Sequence, residues 1–335
     1  MTTQPQGGAS VDVLSQDGNS VNASGGVAER LLASGFNVEA LRTNDVLRNR
    51  EWIQFDQAVV NVARERLVGI ADLMARGLTY DLPNALGVTK VEWEKVSDLT
   101  DAQVSMNGVS KAQNDRLDVG MNSVPIPIVH KDFQIGIRAL HAYRQFGTPL
   151  DVTQAQVATR IVAEKLESIL FNGVTIGNVN NAIYGYTNAP NRITGNTTAD
   201  WNTATGDQII GDVLAMIGAA AAKNMYGPFM IYCSVGSFVH LGADFKTSSD
   251  KSIISRLKEI PGIIDIKPTS KITDPGVVLM VQMTADVVDI IDGIQPTVVW
   301  WESQGGMLQN FKVMAIMVPR VKSDYAAQSG IVHYS

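Results

Sequence analysis

Two strand-like runs with almost nothing apolar between them set the terms for this chain. In the first, Val88, Val91, Trp93 and Val96 are interleaved with Lys90, Glu92, Glu94 and Lys95, an alternation that suits a pleated strand though it is imperfect at its start. The second begins at Val119 and carries Val124, Ile126 and Ile128, then Phe133, Ile135 and Ile137. Between them Ser97 to Asp118 is almost entirely polar, with Asn107-Gly108 as a turn signal. The pattern predicts an extended hairpin. Pro125 and Pro127 lie inside its second run, and a residue without an N–H cannot donate to a ladder, so this strand sits at an edge or protrudes. A two-stranded ribbon with a polar tip has no core of its own. It must lie on another surface.

The clearest single element is a helix over Thr148 to Asn172. Thr148 suits an N-cap, Pro149 the first helical position, and Asp151 adds negative charge to the first turn. Ala155, Ala158, Ile161, Val162, Leu166, Ile169 and Leu170 form one apolar stripe, with Arg160, Glu164, Lys165 and Glu167 off it and Gly173 as the stop. Upstream, Arg30 to Met74 reads mostly as helix, and Gly77 closes it. Downstream, a loop-rich stretch leads to a helix over Asp207 to about Asn224 and a buried-strand run at Phe229–Val235. Short helices follow at Gly236–Asp244 and Lys251–Glu259. Strands are expected at Ile263–Ile266, Val277–Met283, Val287–Ile291, Thr297–Trp301, Met307–Val318 and Ile331–Tyr334. The class is α+β, without an internal repeat.

Composition narrows the function. Hydrophobic residues make up 45% of the 335 and charged residues 18%, which excludes a wholly disordered chain and leaves room for about two domains. Met1 to Ala28 is the exception: it is rich in Gly, Ser, Asn and Gln, with only Asp12 and Asp17 charged, and orders only against a partner, if at all. The balance of 27 basic against 33 acidic residues leaves no excess to neutralise phosphates, so nucleic-acid binding through charge is not expected. Cys233 is alone, which excludes an internal disulfide and fits a reducing compartment. No basic region precedes Arg30, so no leader is expected. The longest charge-free apolar run, Val213 to Ala222, has about half the length of a membrane span.

Catalytic chemistry is hard to find. His130, His141, His240 and His333 share no motif with one another or with Cys233, so no metal is expected and each reads as a structural polar residue, His141 as the one best placed to be buried. Ser234-Val235-Gly236-Ser237 lacks the glycines of a nucleophile elbow and reads as a strand-to-helix turn capped by serine. Asp286, Asp289 and Asp292 read as solvated charges at a strand edge, and Met280, Met283, Met314 and Met317 as core filler. Of Trp300 and Trp301, adjacent on a strand, one faces the core and the other faces solvent or a partner. No catalytic residue and no cofactor are assigned.

The order of elements resembles the major capsid proteins of tailed phages, whose Hong Kong 97-like fold encapsulin nanocompartments share. Locally the resemblance is carried by VPIPIVHKDFQIGIRAL leading into TPLDVTQAQVATRIVAEKLESILFNG, by Ile183-Tyr184-Gly185-Tyr186-Thr187-Asn188, and by the closing stretch from Pro296 to His333. It implies an N-terminal arm over 1–53, and a peripheral domain from 54–87, 128–177 and 296–335 with a spine helix at 151–172. It further implies an extended loop at 88–127 and an axial domain at 178–295 crowding the five-fold and six-fold axes.

The implied function is a structural one: a major capsid protein that self-assembles, as pentamers and hexamers, into the icosahedral shell of a virion built in the host cytoplasm. Such a shell encloses double-stranded DNA without sequence-specific binding. The implied partners are further copies of the chain, a separate scaffold, a portal and a decoration protein, with no membrane. Some such shells cross-link a loop lysine to an asparagine of a neighbour. Lys111 and Asn310 could be posed that way, but no motif supports it and Lys111 reads as a solvated loop residue. The expected intersubunit contacts are Asp98, Asp101, Lys111, Asp115 and Arg116 at the hairpin tip, and the expected spine-helix core is Ala158, Ile161 and Leu166. An encapsulin-type compartment is the alternative, against which the low-complexity opening argues, and an enzyme of unknown class is the more distant one.

Overall fold

The computed structural model describes residues 58–63, 67–97, 106, 116, 118–139, 153–177, 181–246, 251–304, 307–324 and 328–335. The expected N-terminal arm over 1–53, the Thr148 cap with Pro149, His141 and nearly all of the hairpin tip lie outside these residues. In chain order the elements are α1 (Val68–Ala75), β1 (Thr79–Asp81), β2 (Lys90–Val96), β3 (Val119–Pro125), β4 (Val129–Gly136), α2 (Thr153–Asn172), β5 (Val174–Thr175), β6 (Ala182–Ile183) and β7 (Ile193–Gly195). They continue with α3 (Gly206–Ala221), β8 (Phe229–Ser234), α4 (Val235–His240), α5 (Ile253–Lys258), β9 (Ile263–Thr269), β10 (Val278–Gln282), β11 (Val288–Ser303), β12 (Leu308–Val321) and β13 (Ile331–Tyr334).

Strand alternation divides the interior into three cores. Along β8, Phe229, Ile231 and Cys233 face one way, against α3 and α5, while Met230 and Tyr232 face the other, toward α1 and α2. Along β10, Val278 and Met280 join the first group and Leu279 and Val281 the second. These strands lie in a five-stranded sheet of order β7-β13-β10-β8-β9. Against it packs α3, whose start is fixed by Thr205: its side chain accepts from the Gln208 backbone N–H while the Gln208 side chain accepts from that of Thr205. Buried Cys233 has its thiol pushed up to about 12 by desolvation, consistent with an inert core residue.

The second sheet has order β1-β11-β12-β4 and is built on the long antiparallel pair β11–β12. Trp300 is buried toward α2 with Phe311 and Val313, whereas Trp301 emerges on the opposite face beside Val299 and Met314, as adjacent residues on a strand must. The methionines Met280, Met283, Met314 and Met317 are all buried in these cores.

Several expectations need correction. The runs Val287–Ile291 and Thr297–Trp301 are parts of one strand, β11, whose register shifts at Asp292/Ile294 and Ile294/Thr297. Gly293 and Pro296 punctuate the sequence there. A Cβ on Gly293 would lie 2.5 Å from that of Ala85, and Pro296 has no N–H, so the irregularities bend the strand without ending it. Conversely, the single run from Val119 to Ile137 is split around Pro125 and Pro127: β3 pairs with β2, while β4 leaves to pair with β12. Residues 331–334 form β13 between β10 and β7, and residues 288–295 belong to the four-stranded sheet through β11.

Helix α2 is about 30 Å long. Its Ala155, Ala158, Val162, Leu166 and Leu170 are buried in one core and Ile169 in another. Ile161, placed on the stripe by spacing, is instead 41% exposed beside Val157, because the packed face turns past it to Val162. Glu167, placed on the wet side, is only 3% exposed. The helix stops at Gly173 in the left-handed region (φ +66°), where a side chain would strike the Ile183 carbonyl.

Candidate assembly surfaces

The hairpin emerges from the body at Lys90–Pro125 and pairs strictly in register, Val91 with Val124, Trp93 with Asn122, and Val96 with Val119. Among its described residues only those at the root are packed. Val91 and Val124 are buried in the core that also holds Ile126, Ile183 and Ile316. Farther out, Val119 and Met121 are exposed, Met121 at 61%. Asp118 donates its backbone N–H to Ser97 Oγ at 2.9 Å, closing the described end of the ribbon.

A cation holds the root. The Arg320 guanidinium reaches the Asp289 carboxylate through two bonds, Nε–Oδ1 2.8 Å and Nη2–Oδ2 2.5 Å. It also lies over the rings of Tyr80 (4.7 Å) and Trp93 (5.5 Å), so one residue joins β12, β11, β1 and the hairpin. Lys322 adds a second cation at 2.7 Å from Asp289. Asp289 is therefore a buried, doubly paired carboxylate rather than a solvated edge charge. The sequence reading missed this because its partners lie about thirty residues away, across the β11–β12 pair. Register offered the only signal: a hairpin joining those runs brings an aspartate opposite an arginine.

Several other exposed apolar residues fall on three further surfaces. Val157 and Ile161 lie on the outer side of α2. Leu214, Tyr226, Val235 and Val239 cluster in sequence on α3, α4 and the connection before β8, with Val239 72% exposed. On the outer face of the four-stranded sheet a cleft of about 650 Å³ is lined by Leu86, Ile128, His130, Val299, Trp301, Lys312 and Met314, with the Lys312 ammonium 5.5 Å from the Trp301 ring. Trp301 is thus the tryptophan of the pair that faces away from the core. A cleft of about 180 Å³ at the hairpin root is lined by Trp93, Lys95, Asn122, Asn191, Val321 and Ser323, among others.

Of the expected intersubunit residues, Asp98, Asp101, Lys111 and Asp115 lie outside the described residues, and Arg116 is exposed. Asn310, the posed cross-link partner of Lys111, donates to Ser303 Oγ at 2.7 Å. Ala158 and Leu166 are buried against the sheet and Ile161 is not. Among the described residues nothing draws the histidines together: His130 faces Asp132 on β4, His240 Nε2 meets the Ala204 carbonyl at 2.9 Å, and His333 Nδ1 accepts from Arg192 at 3.1 Å. Ser234 Oγ accepts from the Ser237 backbone N–H, the expected cap. Among the described residues no cluster of three or more His, Cys, Asp or Glu side chains could hold a metal, and no helix is long and apolar enough to cross a membrane.

The chain is similar in sequence and fold to known proteins. The chain is 27% identical over 231 residues to the type 1 encapsulin shell protein EncA of Myxococcus xanthus (strain DK1622), covering 69% of this chain and 71% of that one. Its fold superposes on a virus-like particle from Pyrococcus furiosus with a TM-score of 0.61 at 18% identity, covering 85% of this chain and 99% of the other. Similarity to the capsid of Myoviridae phage XM1 gives a TM-score of 0.59 at 13% identity, over 74% and 85% of the two chains. The fold is thus the α+β, Hong Kong 97-like capsid fold. A family model described as "Family of unknown function (DUF6260)" matches residues 40–334, nearly the whole length, and the chain belongs to that family.

Proposed function

We propose that copies of this chain assemble into a closed icosahedral shell, and that the shell is the capsid of a tailed phage enclosing double-stranded DNA. The hairpin carries the shell reading. Beyond Val91 and Val124 its strands bury almost nothing, so the ordering of the ribbon gains little in a lone subunit. In a shell each hairpin lies on a neighbour, and the same weak contact repeats at every subunit. The fold shared with capsids supports this reading, with the role structural rather than catalytic. The hairpin at 88–127 then serves as the extended loop and α2 as the spine. The module of β7–β10 and β13 with α3–α5 would crowd the symmetry axes, presenting Tyr226, Val235 and Val239. A separate scaffold, a portal and a decoration protein remain the partners of this reading.

The choice of a DNA-filled capsid rests on the sequence: a net charge of −6 suits a container that must not trap a polyanion, and Met1–Ala28 gives a low-complexity opening with two charges. Likeness to the shell protein EncA favours the second reading, an encapsulin-type compartment loaded with protein. Particles purified from producing cells and treated with nuclease separate the two. Protected DNA is the result expected of a phage capsid, and a protein cargo without DNA would overturn that choice while leaving the shell intact. A chain that stays a monodisperse monomer at high concentration, with the proteins of its neighbouring genes present, would contradict the shell itself.

A further inference from the structure

The most unusual polar arrangement in the body is at the junction of α1 and α2. Glu167, deep in α2, points its carboxylate at the start of α1, where Oε1 accepts from the Gly69 backbone N–H at 2.6 Å and Oε2 from that of Ile70 at 3.5 Å. The approach is close enough that a Cβ on Gly69 would lie 2.7 Å from Leu170 Cδ2 and 3.2 Å from the Glu167 oxygen. On the same short helix Asp72 is also buried, accepting from Tyr232 Oη at 3.0 Å and from the Lys267 ammonium. Tyr186, whose ring lies edge-on to Phe171 at 5.5 Å, has a buried hydroxyl without a hydrogen-bond partner among the described residues. From β11 and β12 that core takes apolar side chains, among them Val288, Ile290, Trp300 and Phe311.

We propose that Glu167 is a pH-sensitive latch between the spine helix and α1: with its carboxyl neutral the two helices stay docked, and ionisation beside Asp72 loosens α1.

The physical basis is the placement of two acids in one dry junction. The groups that face Glu167 are Asp72 from α1, Lys271 beyond β9, Tyr186 before Asn188 and Tyr232 from β8, with Lys267 of β9 committed to Asp72. Burial is the largest influence on Glu167 and raises its pKa from 4.5 to about 7; Asp72 adds to the rise, while the Gly69 and Ile70 N–H groups and Lys271 oppose it. Releasing α1 removes both backbone donors and returns the carboxyl to water. Below about pH 4.5 docked and released forms are both protonated, and no dependence arises. Between about 4.5 and about 7 the docked form keeps a proton that the released form loses, so each unit of pH raises the released fraction about tenfold. Above about 7 both are ionised and the dependence ends. α1 leads through β1, whose Tyr80 ring lies under Arg320, to the hairpin root.

Amide hydrogen exchange of the full-length subunit tests this, read on α1 between pH 5 and 8 after correction for the intrinsic exchange rate. The opening constant of α1 amides is expected to rise about fortyfold from pH 5 to 7 and to level off above that, while β10 amides show no such rise. In Glu167→Gln, which keeps one acceptor for Gly69 but cannot titrate, the α1 profile should be flat. A flat wild-type profile, or the same rise in E167Q, overturns the latch. Asp72→Asn gives an independent reading should E167Q not fold. Removing the neighbouring charge should move the levelling point to lower pH, and an unmoved one overturns the proposal.

Discussion

Helix α2 and the hairpin β2–β3 are held in opposite ways. On α2 one face is dry from Ala155 to Phe171, and even its off-stripe acid Glu167 is enclosed and bonded. On β2–β3 the ladder is complete, yet the side chains are buried only where the ribbon meets the body at Val91 and Val124. The helix derives its stability from tertiary burial at roughly 1.5–3 kcal/mol per large apolar side chain. The hairpin relies on backbone pairing and on one cation held at its root. An element of the first kind belongs to the subunit; an element of the second kind is finished by something else.

Substitutions can break this contrast from either side. The largest loss of subunit stability is expected for Val162→Asp, which places an unpaired charge at a fully packed position and should cost more than about 4 kcal/mol, seen as loss of soluble, cooperatively melting protein. Next comes Asp289→Ala. It leaves buried Arg320 without its carboxylate and should cost about 3–5 kcal/mol by thermal or denaturant unfolding. A smaller loss would show that Arg320 is held mainly by the Tyr80 and Trp93 rings. Ile161→Asp, one residue from the first substitution, should cost less than about 1 kcal/mol because that side chain is already half in water. If Ile161→Asp unfolds the chain as Val162→Asp does, the packed face of α2 is misassigned.

How legible each region was follows from the same physics. Period-two alternation and the breaks at Pro and Gly located the longer strands but not the two- and three-residue β1, β5, β6 and β7, and the buried β8 was readable from Phe229 to Cys233 as an unbroken apolar run. Helical spacing found α2 but could not rank Ile161 against Val162, since adjacent apolar residues at the margin of a stripe are separated only by what packs on them. Glu167 and Asp289 were misread for a related reason: a charged side chain looks solvated in sequence unless its partner is also in view, and the partners of these two are the backbone of α1 and an arginine on the next strand. The joining of Val288–Ser303 into one strand was hidden by Gly293 and Pro296, which mark a bulge as readily as an end. The hairpin's lack of a core was readable because absence of apolar residues is a property of the sequence itself.

The central claim, that the hairpin belongs to assembly and not to the subunit's own fold, is tested most directly by replacing its polar tip, Asp98 to Asp118, with a short Gly-rich turn. Asp98, Asp101, Lys111, Asp115 and Arg116 leave with it, and exposed pairs of that kind contribute about 0.2–1 kcal/mol each and weaken in salt, so they matter only when repeated around a shell. A melting curve and a sedimentation profile of the same preparation are the measurement. The account predicts a melting temperature within a few degrees of the parent and no stable shells. Loss of cooperative melting would place the tip in the subunit core, and shells like the parent's would show that it makes no contact that assembly needs.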